Sequence, residues 1–181
     1  MPESGPHLPS AVPTQDAKGS VAWIGLGNLL AIDGQFATAA GVPIAEFTNN
    51  ITALFDLSAL PPGRSILSVG TIMHNMFCNS ANTFFDTFTR TIGAHVEAIA
   101  GSMLIPTIPG DSALFDISGT LAGLTTDDLA SLTRLKWRGS SQGGTASMAL
   151  DAPSISVTFA DPTSPTGVRS RMFRARGFTV R

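Results

Sequence analysis

A mainly α, helix-rich single domain is the fold class this sequence predicts, and three observations carry the prediction. Between about Ile66 and Ile92, the residues Val69, Met73, Met76, Ser80, Phe84, Phe88 and Ile92 recur at steps of three and four, the spacing of one helix face. Ile44, Phe47, Ile51, Leu54 and Phe55 do the same behind Pro43, which suits a first helical turn. Thr125-Thr126-Asp127-Asp128 opens a third helix, with Thr125 as its cap and Asp128 three residues on, as in a capping box.

Taken in order, residues 1–19 read as a flexible arm, with Pro2, Pro6, Pro9 and Pro13 among Ser, Gly and Thr and only Lys18 as a fixed cation. Ser20 to Ala31 reads as a first helix, weakened by Gly25 and Gly27. The helix behind Pro43 closes at the Pro61-Pro62-Gly63 turn. In the long segment from Ile66 to Ile92 a second, polar stripe of Asn75, Asn79, Asn82, Asp86 and Arg90 lies over half a turn from the apolar one. One face is built to pack and the other to meet something polar. Gly101 to Gly123, with Pro106, Pro109 and Gly110, reads as a long loop holding a strand or two. Leu129, Leu132 and Leu135 line the helix after Thr125, which Gly139 to Gly144 ends. Ile155, Val157 and Phe159 alternate with Ser154, Ser156 and Thr158 as a half-buried strand, stopped by Pro162 and Pro165. The expected organisation is an arm (1–19), one domain (20–161) and an Arg-rich extension (162–181).

Composition points to assembly. The 181 residues are 43% apolar but only 13% charged, about half the usual charged share. With a positive mean hydropathy, apolar surface left over by one copy is expected to be covered by another. No segment reaches the roughly 18 apolar residues of a membrane span, so no membrane is expected as a partner. The N-terminus lacks the basic-then-apolar order of a signal peptide. Cys78 stands alone and cannot form an internal disulfide. The net charge is −2, yet after Asp161 come five arginines (Arg169, Arg171, Arg174, Arg176, Arg181) and no acid.

Catalytic and metal motifs are incomplete. Gly139-Ser140-Ser141-Gln142-Gly143 matches a nucleophile elbow, but that motif wants a strand before it and usually a later histidine, and none follows His95. Gly25-Leu26-Gly27 starts a dinucleotide fingerprint whose third glycine position holds Leu30. His74 and Cys78 could pair on a metal, but a structural zinc site wants four ligands. Glu97 beside His95 has no further candidate to join it. No enzyme activity, metal or cofactor is expected.

Phe85-Asp86-Thr87, with Arg90 following, resembles the Phe-Asp-Thr-Arg-x-Arg segment of the coat proteins of tobamovirus-type, rod-shaped RNA viruses, with Phe88 where the first arginine would stand. Gly34-Gln35-Phe36 and Asp127-Asp128 with Arg134 resemble two further segments of that family, in the same order. The resemblance implies an antiparallel four-helix bundle with small β elements, stacked into a helical homopolymer with single-stranded RNA between its turns. It implies RNA contacts at Arg90, Asp86, Asn82, Asn79, Asp128 and Arg134. Asp127 and Asp128 could also meet carboxylates across a subunit interface, where joint ionisation is disfavoured, or simply cap a helix at its positive end. Asp86 and Arg90 could equally form an i,i+4 surface pair.

The expected function is therefore a structural coat protein that self-assembles and packages RNA, found in the virion and the host cell cytoplasm. Trp23-Ile24-Gly25-Leu26-Gly27 and Ala113-Leu114-Phe115-Asp116 are faintly similar to the coats of flexuous filamentous viruses, which is one alternative. The other is a non-viral helical scaffold or protein-binding domain.

Overall fold

The computed structural model describes residues 2–131 and 133–161. It is a β protein: 49% strand and 6% helix, with no helix of seven residues or more among the described residues. The expected antiparallel four-helix bundle is overturned. In chain order the strands are β1 (Glu3–His7), β2 (Thr14–Gln15), β3 (Ala37–Val42), β4 (Ile51–Phe55), β5 (Ile66–His74), β6 (Phe77–Cys78) and β7 (Thr83–Ile92). There follow β8 (His95–Ala98), β9 (Met103–Leu104), β10 (Phe115–Asp116), β11 (Thr133–Ser141), β12 (Ala146–Leu150) and β13 (Ala152–Phe159). The helical elements are a 3-10 turn at Leu26–Leu30 and α1 at Thr126–Ser131.

Each misread helix has a local cause. A spacing of four residues puts two side chains on one face of a helix and equally on one face of a strand. Val69 and Met73 are such a pair, both buried on β5. Phe85, Phe88 and Ile92 are buried on β7, and the step of three between the phenylalanines comes from a β-bulge. There Thr87 and Phe88 together oppose Trp137 of β11, and Thr87 takes a φ of 56°. The Thr, Phe and Ile content of 83–92 favours the pleated strand. Ile51, Ala53 and Phe55 alternate as buried residues with the half-buried Thr52 and Leu54, so the helix expected behind Pro43 is β4. The first helix shrinks to the 3-10 turn, and the arm expected over 1–19 supplies β1 and β2. The extension at 162–181 lies outside the described residues.

Three expectations hold. The stretch from Gly101 to Gly123 is irregular apart from the two short strands β9 and β10. The half-buried strand is β13, with Ile155, Val157 and Phe159 in the core. Thr125 and Asp128 do open a helix: the Asp128 carboxylate accepts from the Thr125 backbone N–H at 2.8 Å and from its hydroxyl at 3.0 Å. That helix ends after six residues, because Thr133, Leu135 and Trp137 turn inward at strand spacing.

All pairing between named strands is antiparallel. One sheet has the order β1-β13-β5-β10 and another β3-β12-β6. They are joined because β5 runs on into β6 through Asn75-Met76 and β12 into β13 through Asp151. The remaining sheet, β2-β4-β11-β7-β8, also pairs β9 with β7. Its inner residues Ile51, Phe85, Phe88, Leu135 and Trp137 join Val69, Met73, Ile155, Val42, Met148 and Leu150 in one core cluster. Burying each large side chain here is worth roughly 1.5–3 kcal/mol. Phe88 of β7 meets Phe115 of β10 at 4.7 Å between centroids, tying two of the sheets together. At Gly139 a β-carbon would lie 2.1 Å from the Met148 sulfur, so the buried Met148 side chain packs into the space that the glycine leaves.

Candidate nucleic-acid interface

β11 carries the residues Thr133-Arg134-Leu135-Lys136-Trp137-Arg138, in which cations alternate with core residues. Strand geometry therefore puts Leu135 and Trp137 in the core and Arg134, Lys136 and Arg138 on the outer face, about 7 Å apart at two residues per step. Since β4 and β7 flank β11 on both sides, this row runs along the middle of a sheet rather than along an edge. Arg134 stands opposite Leu54 and Thr91, Lys136 opposite Thr52 and Thr89, and Arg138 opposite Asp86.

Beside the row is an open hollow of about 540 Å³ lined by Lys18, Phe47, Thr87, Thr89, Lys136 and Arg138. A second, of about 290 Å³, is bordered by Arg134, Thr14, Thr52 and Leu54. Lys18 reaches the first hollow because the segment after β2 is pinned down. Its own N–H donates to Asp16 at 3.3 Å, and the Gly19 N–H donates to the Asn49 side-chain carbonyl at 3.0 Å. The Asn50 side-chain amide donates to both Asp16 oxygens at 2.8 Å, and Lys136 Nζ reaches Asp16 Oδ2 at 3.1 Å.

Two carboxylates hold the cations in place. Burial pushes the Asp16 carboxyl up, but side-chain bonds from Asn50 and Lys136 and backbone bonds from Asn50 and Lys18 outweigh it, bringing it down to about 2. Burial likewise raises Asp86, and bonds from Ser140, Arg138 and Thr87, with the charge of Arg138, hold it below the usual range. Arg138 Nε donates to Asp86 at 2.9 Å, while its guanidinium carbon sits 3.9 Å from the centre of the Phe47 ring, over the ring face. Among the described residues no ion pair engages Lys18 or Arg134.

The residues expected at an RNA groove are mostly scattered. Arg90 is fully buried: it donates to the Ile117 carbonyl at 3.0 Å, the Thr120 carbonyl at 3.3 Å and Glu97 at 2.8 Å. An RNA-binding role for Arg90 is therefore corrected to a structural one. Of the polar stripe, only Asp86 reaches the cationic face, where it pairs with Arg138 rather than Arg90. Asn79 accepts from the Ser147 N–H at 2.7 Å, next to β12. Asn82 sits in a turn at a φ of 53°, and Asn75 at a bend at 46°; both use the tolerance of Asn for the left-handed region. A helical stripe of asparagines is in fact a set of turn residues. Asp127 accepts from the Gly63 N–H at 3.1 Å, and Asp128 caps α1. Arg134 is the one predicted contact that is exposed on the cationic face. Lys136, Arg138, Lys18 and Phe47 were missed, although the period-two alternation of 133–138 was there to be read.

A second polar cluster lies at the sheet bend. Asp111 Oδ2 is 3.0 Å from His74 Nδ1, and His74 Nε2 is 2.8 Å from Ser154 Oγ. Those are the distances of a Ser-His-Asp relay. Ser154, however, is 1% exposed in a strand paired on both sides, so a substrate carbonyl has no approach to its oxygen. The cluster instead locks the bend, together with Asp151. That buried carboxylate accepts from the Asn75 amide at 2.9 Å and from the backbone N–H groups of Gly34 and Asp33 at 3.0 and 3.3 Å. No group of three or more His, Cys, Asp or Glu residues among the described residues could hold a metal ion. None of the helices described is long and apolar enough to cross a membrane.

Fold and site together define an antiparallel β protein with a cationic outer sheet face. No family model, curated protein or solved structure matches the chain.

Proposed function

We propose that this is a non-catalytic structural protein that binds single-stranded RNA along β11 and associates with copies of itself, in the manner of a coat protein within a virion. One observation carries the reading. Through Asp161 the chain has thirteen acids and only six bases, yet four of those bases, Lys18, Arg134, Lys136 and Arg138, border the same sheet face. An acidic body that gathers its cations on one face suits a polyanion that threads past in extended form. Steps of about 7 Å along a strand are comparable to the spacing of successive phosphates in an extended single strand. The threonines between the cations supply hydroxyl donors for phosphate and sugar oxygens.

The rod-type helical groove is not part of this proposal, since it required the helical bundle. Self-association is supported by the low charge content and by large aliphatic side chains left open to solvent, among them Ile24, Ile44, Val96 and Ile108. A shallow apolar groove of about 300 Å³ between Ala39, Ala40, Phe77 and Met148 favours a second reading, a protein-binding module.

The test is a salt titration of labelled single-stranded RNA binding to the full chain and to a triple Arg134→Ser, Lys136→Ser, Arg138→Ser variant. Because the C-terminal arginines could bind RNA as well, their glutamine variants serve as the parallel control. Loss of affinity and a flatter salt dependence in the triple variant support the proposal. Equal binding by wild type and triple variant would sink it.

A further inference from the structure

The cationic face holds one arrangement that a mere phosphate-binding surface does not need. Arg138 is fixed on two sides: its guanidinium lies over the Phe47 ring at 3.9 Å, and its Nε is tied to Asp86 at 2.9 Å. Asp86 is held in turn by the hydroxyls of Ser140 at 2.7 Å and Thr87 at 2.7 Å. A phosphate contact is served well enough by a flexible lysine, a point charge that swings to its target. A guanidinium clamped in this way has given up that freedom. What it offers is a flat, delocalised cation whose orientation is set in advance and which borders the open hollow.

We propose that Arg138 on Phe47 is a stacking platform for one unpaired nucleobase, with Lys136 and Lys18 on the neighbouring phosphates. The inference rests on the RNA-binding reading above and names its chemistry: the ligand is a single strand with exposed bases. A duplex, or a polyanion without rings, cannot use the platform. Bases stack on arginine planes and aromatic rings in proteins that bind single strands. The hollow has room for a ring beside the cations at about 540 Å³, and its rim hydroxyls, Thr87 and Thr89, lie within the same wall. The β-bulge at Thr87 shapes that wall, because it sets Asp86 opposite Arg138 while the core alternation of β7 continues beyond it.

The experiment compares a labelled single-stranded adenylate decamer with an abasic decamer of the same charge, at equal salt, on the full chain. The base-bearing strand is expected to bind at least about fivefold more tightly, the range that one stacked base supplies. Arg138→Lys keeps the charge and removes the plane. It is expected to erase the preference while leaving the slope of affinity against salt unchanged. Phe47→Leu removes the ring beneath and should reduce the preference in the same direction, so that a folding defect in one variant does not decide the matter. Equal binding of the two strands by wild type, or a preference that survives Arg138→Lys, overturns the platform and leaves the RNA-binding reading standing. Failure of both strands to bind at low salt overturns both.

Discussion

Arg90 Nη2 lies 2.8 Å from Glu97 Oε2, and the guanidinium that makes this contact is wholly enclosed by the protein. The pair spans β7 and β8, where the two residues stand directly opposite each other. From there Arg90 also reaches the carbonyls of Ile117 and Thr120, while Glu97 accepts from the Thr120 N–H at 2.8 Å. One buried arginine thus fastens the 117–120 segment to the edge of the largest sheet.

Removing this arginine should therefore cost stability rather than RNA binding. Arg90→Ala orphans the buried Ile117 carbonyl, worth about 1–3 kcal/mol when left unsatisfied in the interior, whereas the carbonyl of the exposed Thr120 can turn to water. Chemical denaturation should show a lowered midpoint. Below that midpoint, RNA affinity should match wild type; an unchanged midpoint with lost affinity would return Arg90 to the interface.

Charge changes on the outer face should act in the opposite sense. Lys136→Ala and Arg134→Ala are each expected to lower affinity for single-stranded RNA and to reduce the salt slope by about 0.7. Fluorescence anisotropy across a salt series measures both.

Acid should loosen the fold in a defined window. Asp16 titrates near 3.8 when free and at about 2 in the folded chain, so between those values the unfolded state binds more protons. Its contribution to stability is complete above pH 3.8 and is lost as pH falls through about 2. Asp86, Asp111 and Asp116 are lowered too and add to the same trend. Emission from Trp23 and Trp137, both buried, should shift to the red on acid unfolding. Asp16→Asn should flatten the pH dependence of stability over that window.

Gly139→Ala should be destabilising, because the buried Met148 side chain has to swing aside to admit the methyl. The new carbon would fall 2.1 Å from the Met148 sulfur and 3.4 Å from a Thr48 methyl. Overpacking of this kind costs about 1–3 kcal/mol. Thermal unfolding checks it, and the double variant with Met148→Ala should lose less than the two single losses added.

Some of this structure was written locally. The alternation of Ile155, Val157 and Phe159 specified β13, and Thr125 with Asp128 specified the start of α1, because a strand face and a helix cap each depend on residues within a few positions. The row Arg134, Lys136, Arg138 was equally legible, being strict period two between buried neighbours. The rest depended on tertiary pairing. Val69 and Met73 fit a helix and a strand alike, and only the partners across the sheet, Val157 and Pro153, decide between them. The run Phe84, Phe88 and Ile92 keeps a helical step of four, but the bulge at Thr87 puts Phe84 off the buried face that Phe85, Phe88 and Ile92 form. Lys18 joins the cationic hollow because Asp16 meets Asn50 and Lys136, the latter across 120 residues of chain. Local pattern carried β13, the start of α1 and the alternation along β11; pairing across the sheets decided that β4 and β7 are strands and which face became a site, since antiparallel pairing brings together residues whose separation along the chain carries no periodic signal.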